Sequence, residues 1–181
     1  MRNLYLTQHV DDASVKALVE KIVEFNSEDD KEEKEKRDYK RETINLYIQT
    51  NGGEIRAGAF LINVIQQSKT KVRGICLGKA YSCGLPIFVA CHERVSAPSA
   101  LFMYHNAWTI ASGSAAQLQG ATNYLKYDHD YMDEIIISRT KITKEKLKKI
   151  SRKNDDAWFF NGDEALKLGV VDKFIKQGRT Y

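Results

Sequence analysis

The sequence predicts an α/β fold in which a parallel sheet is layered with helices. Two observations support this prediction. Short apolar segments typical of buried strands alternate along the chain with longer segments whose apolar residues recur at helical spacing. The chain has 181 residues, of which 43% are hydrophobic, and this is enough to bury the core of one domain. Because such alternation connects parallel strands, we expect stacked β-α-β units in a single domain over residues 1–181.

The first elements are a strand and a helix, followed by a charged segment. Residues 3–7 form a short apolar segment, and Asp11 and Asp12 then precede a helix whose apolar residues recur at helical spacing. Residues 28–42 are almost entirely charged, with the two signs mixed, so this segment cannot supply a core. We expect it to be an exposed insert, either a solvated extension of the helix or a loop.

The remaining strands and helices alternate along the chain. Apolar segments predict strands at 44–48, 72–77, 94–97, 101–104 and 170–175. Helical spacing and capping residues predict one helix that carries Ala59, Phe60, Ile62 and Ile65 on its apolar face, and others at 85–90, 114–139, 144–151 and 164–168. Residues 158–162 are interpreted as a loop between the last two helices.

The composition argues against nucleic-acid and membrane partners. The net charge is +4, but basic and acidic residues are interleaved rather than gathered into a basic stripe, so no nucleic-acid partner is expected. No apolar run approaches the roughly 20 residues that a membrane span needs. Residues 1–6 lack the hydrophobic region and cleavage site of a signal peptide, which favours a cytoplasmic protein.

The cysteines and histidines predict neither disulfides nor a metal centre. Cys76, Cys83 and Cys91 have no paired spacing, and we expect them to be reduced, buried thiols. The four histidines are scattered along the sequence, so neither a metal nor another cofactor is expected.

A serine in a tight turn is the first candidate catalytic residue. Ser82 lies between a predicted buried strand and a helix with Pro86 in its first turn, where the missing N–H costs little. The pattern Ala-x-Ser-x-Gly around it is close to the Gly-x-Ser-x-Gly nucleophile elbow, in which a serine is lifted out of the fold. Small residues and serine also occur in ordinary strand-to-helix turns, so the pattern needs support from the residues around it.

Glycines and a histidine follow two other predicted strands. Gly52 and Gly53 come directly after the strand at 44–48, and loops after the carboxyl ends of parallel strands line one crevice, which the Ser82 turn shares. His105 ends the strand at 101–104 and could take the proton of a serine hydroxyl. Each feature has an alternative interpretation. The glycines could form a simple turn, and the histidine could have a capping or core role.

The third feature is the acidic pair Asp155-Asp156. A carboxylate can fix the tautomer of a catalytic histidine and stabilise its protonated form. The alternative is a solvated helix end, the more common position of such residues.

These motifs together resemble the ClpP family, the proteolytic subunit of Clp protease. The resemblance extends from residue 3 to residue 175, outside the charged insert, and rests on four motifs in the family's order. They are Asn-Gly-Gly at 51–53, Gly-x-Ala-x-Ser-x-Gly at 78–84, Met-Tyr-His at 103–105 and Glu-Ala-Leu-x-x-Gly-Val-Val-Asp at 164–172.

The resemblance implies a fold, a chemistry and partners. The fold would be the ClpP/crotonase-like fold of stacked β-α-β units with a protruding strand-helix handle. The activity would be that of a serine endopeptidase, with Ser82 as nucleophile, His105 as general base, and the amides of Gly53 and Cys83 as the oxyanion hole. The protein would form a homo-oligomer of heptameric rings that encloses unfolded polypeptide substrates. An AAA+ ATPase unfoldase is the family's partner, although the axial loops that face it lie in an N-terminal extension not matched here.

The triad acid is the main departure from the family pattern. Counting back from Glu164, the family's aspartate position falls on Ala157, and Asp156 fits only if the following loop carries one extra residue. We predict Asp156 as the acid. The sequence also departs from the family in the insert and at Trp108, in a region where family rings meet.

Three other functions remain open at this stage. With Ala157 at the acid position, the chain could be a catalytically weak or inactive ring subunit or scaffold. A crotonase-type acyl-CoA enzyme would share the fold and an oxyanion hole of two amides, but the pairing of Ser82 with His105 argues against it. Cys83 as the nucleophile is a minor alternative, because a small buried thiol is the usual role for such a residue.

Overall fold

The structure is a computed structural model that describes residues 1–151 and 157–176. In chain order the strands are β1 (Arg2–Leu6), β2 (Ile44–Ile48), β3 (Val72–Cys76), β4 (Lys79–Tyr81), β5 (Glu93–Ser96), β6 (Leu101–His105), β7 (Ala157–Asn161) and β8 (Lys173–Phe174). The helices are α1 (Asp12–Glu35), α2 (Ile55–Gln67), α3 (Gly84–Ala90), α4 (Ala115–Arg139), α5 (Lys144–Ser151) and α6 (Gly162–Lys167).

Two sheets organise the described residues. The larger has the order β1-β2-β3-β5-β8, and all of its strands run parallel. The smaller has the order β4-β6-β7, with β4 parallel to β6 and β7 antiparallel to it. Helices cross between the parallel strands, as a right-handed β-α-β connection requires. The predicted α/β class is therefore confirmed.

Helix α3 is the centre of the core. All seven of its residues are buried, and it packs against α2, α4 and strands of both sheets. Pro86 lies in its first turn, where no backbone donor is lost. Because α3 cannot shift without disturbing these contacts, the turn that precedes it is fixed in place.

Capping residues fix where the long helices begin. Asp11 accepts from the amide of Ser14 at 2.8 Å at the start of α1, and Ser114 does the same for Gln117 at the start of α4. The first half of α4 is mostly exposed, while Met132 and Ile136 in its second half are buried. Half of this helix therefore lies outside the packed layers.

The charged segment differs in part from the exposed insert that the sequence predicts. Its first residues extend α1 to Glu35, as one of the two expected forms requires. Asp29, however, is fully buried, because Arg2 and Thr70 lie against its carboxylate. The expectation of exposure is therefore wrong for this residue.

Three further predictions of local structure are wrong. Residues 158–161, interpreted as part of a loop over 158–162, belong to β7, because β7 pairs with β6 along its whole length. Phe60, placed on the apolar face of α2, is 53% exposed. The last strand contains only 173–174, since the amides of Val170 and Val171 instead donate to Ala165 and close the end of α6.

Candidate active site

The backbone at Ser82 is strained and firmly held. Its φ is +52°, and it is the one non-glycine residue with a positive φ among the residues described. Its amide donates to the carbonyl of Met103 on β6 at 2.9 Å, and its carbonyl accepts from Leu85 in α3 at 3.0 Å. Such a left-handed conformation costs about 1–3 kcal/mol and persists only where the surroundings impose it.

His105 lies against this turn. Strands β4 and β6 pair in parallel, with Tyr81 opposite Met103, so Ser82, which follows β4, lies beside the end of β6, where His105 is the last residue. His105 Nε2 lies 2.7 Å from Ser82 Oγ. This distance allows the hydroxyl to donate its hydrogen to the imidazole. The structure therefore brings together the two residues that the sequence predicts as nucleophile and base.

The glycine loop lies against the same turn. Gly52 has φ +95°, and a β-carbon added there would lie 2.6 Å from Ser82 Cβ and 3.0 Å from the amide nitrogen of Cys83. Only glycine allows the two loops to come so close. The predicted crevice between the Gly53 loop and the Ser82 turn is thus present.

The amides of Gly53 and Cys83 carry no hydrogen bond within the part of the chain that the structure describes. Val10 donates to the carbonyl of Gly52 at 2.9 Å and accepts from Glu54 at 2.7 Å, as in a parallel bridge. In such a bridge the amide of the intervening residue, Gly53, points to the other side. Two amide donors beside a serine hydroxyl could both meet negative charge on a bound group.

A cleft of about 680 Å³ opens over Ser82 and His105. The Gly53 loop and the start of α2 form one side of it, and residues of α4 form the other. Trp108 and Tyr124 also line it, and both are largely exposed. A cleft of this volume can hold a ligand with many heavy atoms, a short peptide segment included.

Burial makes the thiols poor nucleophiles. It raises the pKa of Cys76, Cys83 and Cys91 to about 12 in each case, and all three cysteines are free. The prediction of reduced, buried thiols is confirmed. Because the thiolate is the reactive form, this argues against Cys83 as the nucleophile.

The two acidic residues that the sequence singles out, Asp155 and Asp156, lie outside the described residues. The chain is described again from Ala157, which pairs with His105 in the β6–β7 ladder. The candidate acid is therefore next in sequence to a residue that lies opposite the candidate base.

Two groups of polar residues near the site were not predicted from the sequence. Arg56 pairs with Asp128 across the cleft, and Tyr104 donates to Asp133 at 2.8 Å behind His105. A usable signal for the second group was the i,i+4 spacing of His129 and Asp133, which helical geometry places on one face of α4.

The described residues contain neither a candidate membrane-spanning helix nor a candidate metal centre. None of their helices is both long and apolar enough to span a membrane. Nor do three or more acidic, histidine or cysteine side chains in this part of the chain gather into a group that could hold a metal ion.

Comparison with known proteins identifies the family. The sequence model of the Clp protease family matches residues 1–178, so the chain belongs to that family and has the ClpP/crotonase-like fold. The chain is also similar to ATP-dependent Clp protease proteolytic subunit 1 of Gloeobacter violaceus. The two are 26% identical over 177 residues, which cover 97% of this chain and 83% of that protein.

Proposed function

We propose that this chain is a serine endopeptidase subunit that hydrolyses peptide bonds of unfolded polypeptides. The observation that carries the proposal is the 2.7 Å contact between Ser82 Oγ and His105 Nε2 in a cleft with room for a short peptide segment. Membership of the Clp protease family, which as a class contains serine peptidases that form rings and work with ATPases, supports it.

The chemistry uses groups already in position. Ser82 Oγ attacks the carbonyl carbon of the scissile peptide bond, and its proton passes to His105 Nε2. The amides of Gly53 and Cys83 donate to the resulting oxyanion. His105 then gives the proton to the leaving amine, and an acyl-enzyme remains on Ser82. A water molecule, deprotonated by His105, hydrolyses that ester and restores the serine.

We assign the role of triad acid to Asp156. It precedes Ala157, whose backbone pairs with His105, and a carboxylate beside His105 would hold the imidazole in the tautomer that accepts at Nε2. Without such an acid a triad enzyme retains only weak activity.

The assembly proposed is a cytoplasmic homo-oligomer of heptameric rings, each subunit one peptidase domain over residues 1–181. Its chamber would confine unfolded substrates, and an AAA+ ATPase would deliver them. The name of the Gloeobacter relative, a proteolytic subunit of an ATP-dependent protease, supports this assembly.

A catalytically weak or inactive ring subunit is the second candidate. One observation favours it: the residue opposite His105 on β7 is Ala157, which has no carboxylate. Such a subunit would assemble but would not react with a probe directed at an activated serine.

Intact-mass spectrometry after incubation with a fluorophosphonate probe distinguishes the two candidates. We expect a single adduct on the wild type, none on Ser82→Ala, and slower labelling of Asp156→Ala. No adduct on a folded wild-type oligomer would overturn the peptidase proposal. Circular dichroism of both variants serves as the control for folding.

A further inference from the structure

A second, smaller pocket opens directly beside Ser82. Its volume is about 40 Å³, and both Ser82 and His105 lie on its rim. Most of its wall is apolar and comes from Ile55, Pro86 and Met132. A side chain adjacent to a bond cleaved at Ser82 would lie beside it, because Ser82 is itself part of the pocket lining.

Part of the lining of this pocket is polar. Tyr104, His129 and Asp133 all line it. Tyr104 Oη donates to Asp133 Oδ1 at 2.8 Å and lies 3.4 Å from His129 Nε2. An aromatic hydroxyl, an imidazole and a carboxylate thus lie together in a lining that is otherwise mostly apolar.

Asp133 has an acceptor that the protein does not use. Its Oδ1 accepts from Tyr104, but no group among residues 1–151 and 157–176 donates to Oδ2 within hydrogen-bond distance. The side chain of His129 lies close to Oδ2, with its Nε2 at 3.7 Å. The side chain is 19% exposed, so some of it still faces the pocket. Burial raises the pKa of Asp133 although the bond from Tyr104 opposes that change, consistent with an incompletely satisfied carboxylate.

An apolar side chain in the pocket would therefore carry a cost. It would remove the remaining water from Oδ2 without offering a hydrogen bond, and a buried acceptor left unpaired is destabilising. A side chain that ends in an N–H donor would satisfy the same oxygen. A site built to bond a polar group discriminates strongly against an analogue that lacks it.

We propose that this pocket receives the side chain on the acyl side of the scissile bond and that Asp133 selects one that ends in a hydrogen-bond donor. The inference rests on the proposed peptidase function. It makes Asp133 a specificity-determining residue, distinct from the groups that carry out bond cleavage.

The test compares fluorogenic peptides that differ only at the acyl-side residue, which is asparagine or leucine. These side chains have the same branching and number of heavy atoms, so their difference reports hydrogen bonding rather than size. For the wild type we expect kcat/KM for the asparagine peptide to exceed that for the leucine peptide by about tenfold. The ratio should fall below one in Asp133→Leu.

Asp133→Asn is a second variant that tests the same inference if Asp133→Leu does not fold. Its amide oxygen can still accept from Tyr104, while its NH2 group offers a donor in place of the free acceptor. The asparagine of the peptide would then have to accept through its amide oxygen, so the asparagine-to-leucine ratio should fall, but less than in Asp133→Leu. Asp130→Asn, an exposed position on the same helix, is the matched control and should leave the ratio unchanged.

Two outcomes separate failure of the inference from failure of the proposed function. A wild type that is labelled by fluorophosphonate and cleaves both peptides, with the same ratio in all variants, would overturn the role of Asp133 alone. A folded wild type that neither reacts with the probe nor cleaves either peptide would overturn both proposals.

Discussion

Arg2 on the first strand and Asp29 on α1 form a buried ion pair. Arg2 Nη1 lies 2.7 Å from Asp29 Oδ2, and the carboxylate is fully buried. Tyr39 donates to the other carboxylate oxygen at 2.6 Å, and Thr70 donates to the same oxygen as Arg2. One side chain from the charged segment therefore holds β1, the chain after α1 and the chain before β3 together.

Removal of this carboxylate should destabilise the whole fold. Asp29→Ala leaves the guanidinium of Arg2 and two hydroxyls without their common partner, which we expect to cost about 3 kcal/mol in free energy of unfolding. Urea denaturation followed by circular dichroism measures it. Glu32→Ala is the control, because Glu32 pairs with Lys36 on the exposed side of the same segment and such pairs contribute little. Equal losses in the two variants would contradict this account.

The same carboxylate predicts loss of stability in acid. Burial would raise the pKa of Asp29, but hydrogen bonds from Arg2 and two hydroxyls outweigh it and lower the pKa to about 2, from an ordinary 3.8. Glu93 behaves similarly: burial opposes the shift, but hydrogen bonds from three basic side chains lower its pKa to about 2.

Because the folded pKa lies below the unfolded one, this stabilisation is fully present above about pH 5 and is lost as the pH falls towards 2. Urea midpoints measured at pH 6, 4 and 3 should fall progressively for the wild type. Asp29→Asn should lower the midpoint at pH 6 and then show a shallower dependence on pH. An identical dependence in both proteins would exclude Asp29 as a source of the acid sensitivity.

Gly53→Ala should impair the candidate active site. Gly53 has φ +153°, and an added β-carbon would lie 2.2 Å from the carbonyl oxygen of Val10, so the loop must move. If its amide stabilises the oxyanion, labelling of Ser82 by fluorophosphonate should slow by about a hundredfold. Gly120→Ala is the control, because a β-carbon there meets nothing within 4 Å on the exposed half of α4. Unchanged labelling of a folded Gly53→Ala would remove Gly53 from the oxyanion hole.

The buried thiols should be unreactive in the folded protein. With pKa values raised to about 12, Cys76, Cys83 and Cys91 are almost entirely protonated at pH 8 and shielded from reagents. Iodoacetamide should add nothing detectable by intact mass within a time that gives three adducts in urea. Rapid modification of Cys83 in the folded state would contradict this prediction and would support Cys83 as the nucleophile.

The elements predicted most accurately from the sequence are those whose structure depends on residues nearby in the chain. Strand β2 has the predicted bounds, and α4 lies within the predicted 114–139, since apolar runs and helical spacing are local signals. The proximity of Ser82 and His105 followed from the order of the family's motifs. Burial of Asp29 could not be predicted, because its partners Arg2 and Thr70 are 27 and 41 residues away in sequence. The pairing of β7 with β6 is likewise a contact between residues far apart in sequence, so the local pattern does not predict it.

Arg56 should hold the exposed half of α4 in place. Its guanidinium pairs with the buried carboxylate of Asp128 and lies over the rings of Tyr124 and Tyr127, 4.9 and 5.3 Å from their centroids. These contacts join the start of α2 to α4 across the cleft. Arg56→Ala would leave Asp128 unpaired and remove both stacking contacts, so α4 should open locally more often.

Hydrogen exchange measures this directly. Amides of 115–131 should exchange about tenfold faster in Arg56→Ala, whereas those of α3 should be unchanged. Arg56→Lys retains the charge but not the planar group that stacks on two rings, and it should give an intermediate rate. Lys21→Ala removes an exposed pair with Glu24 on α1 and serves as the control. Uniformly faster exchange throughout Arg56→Ala would mean that the pair stabilises the whole fold rather than the wall of the cleft.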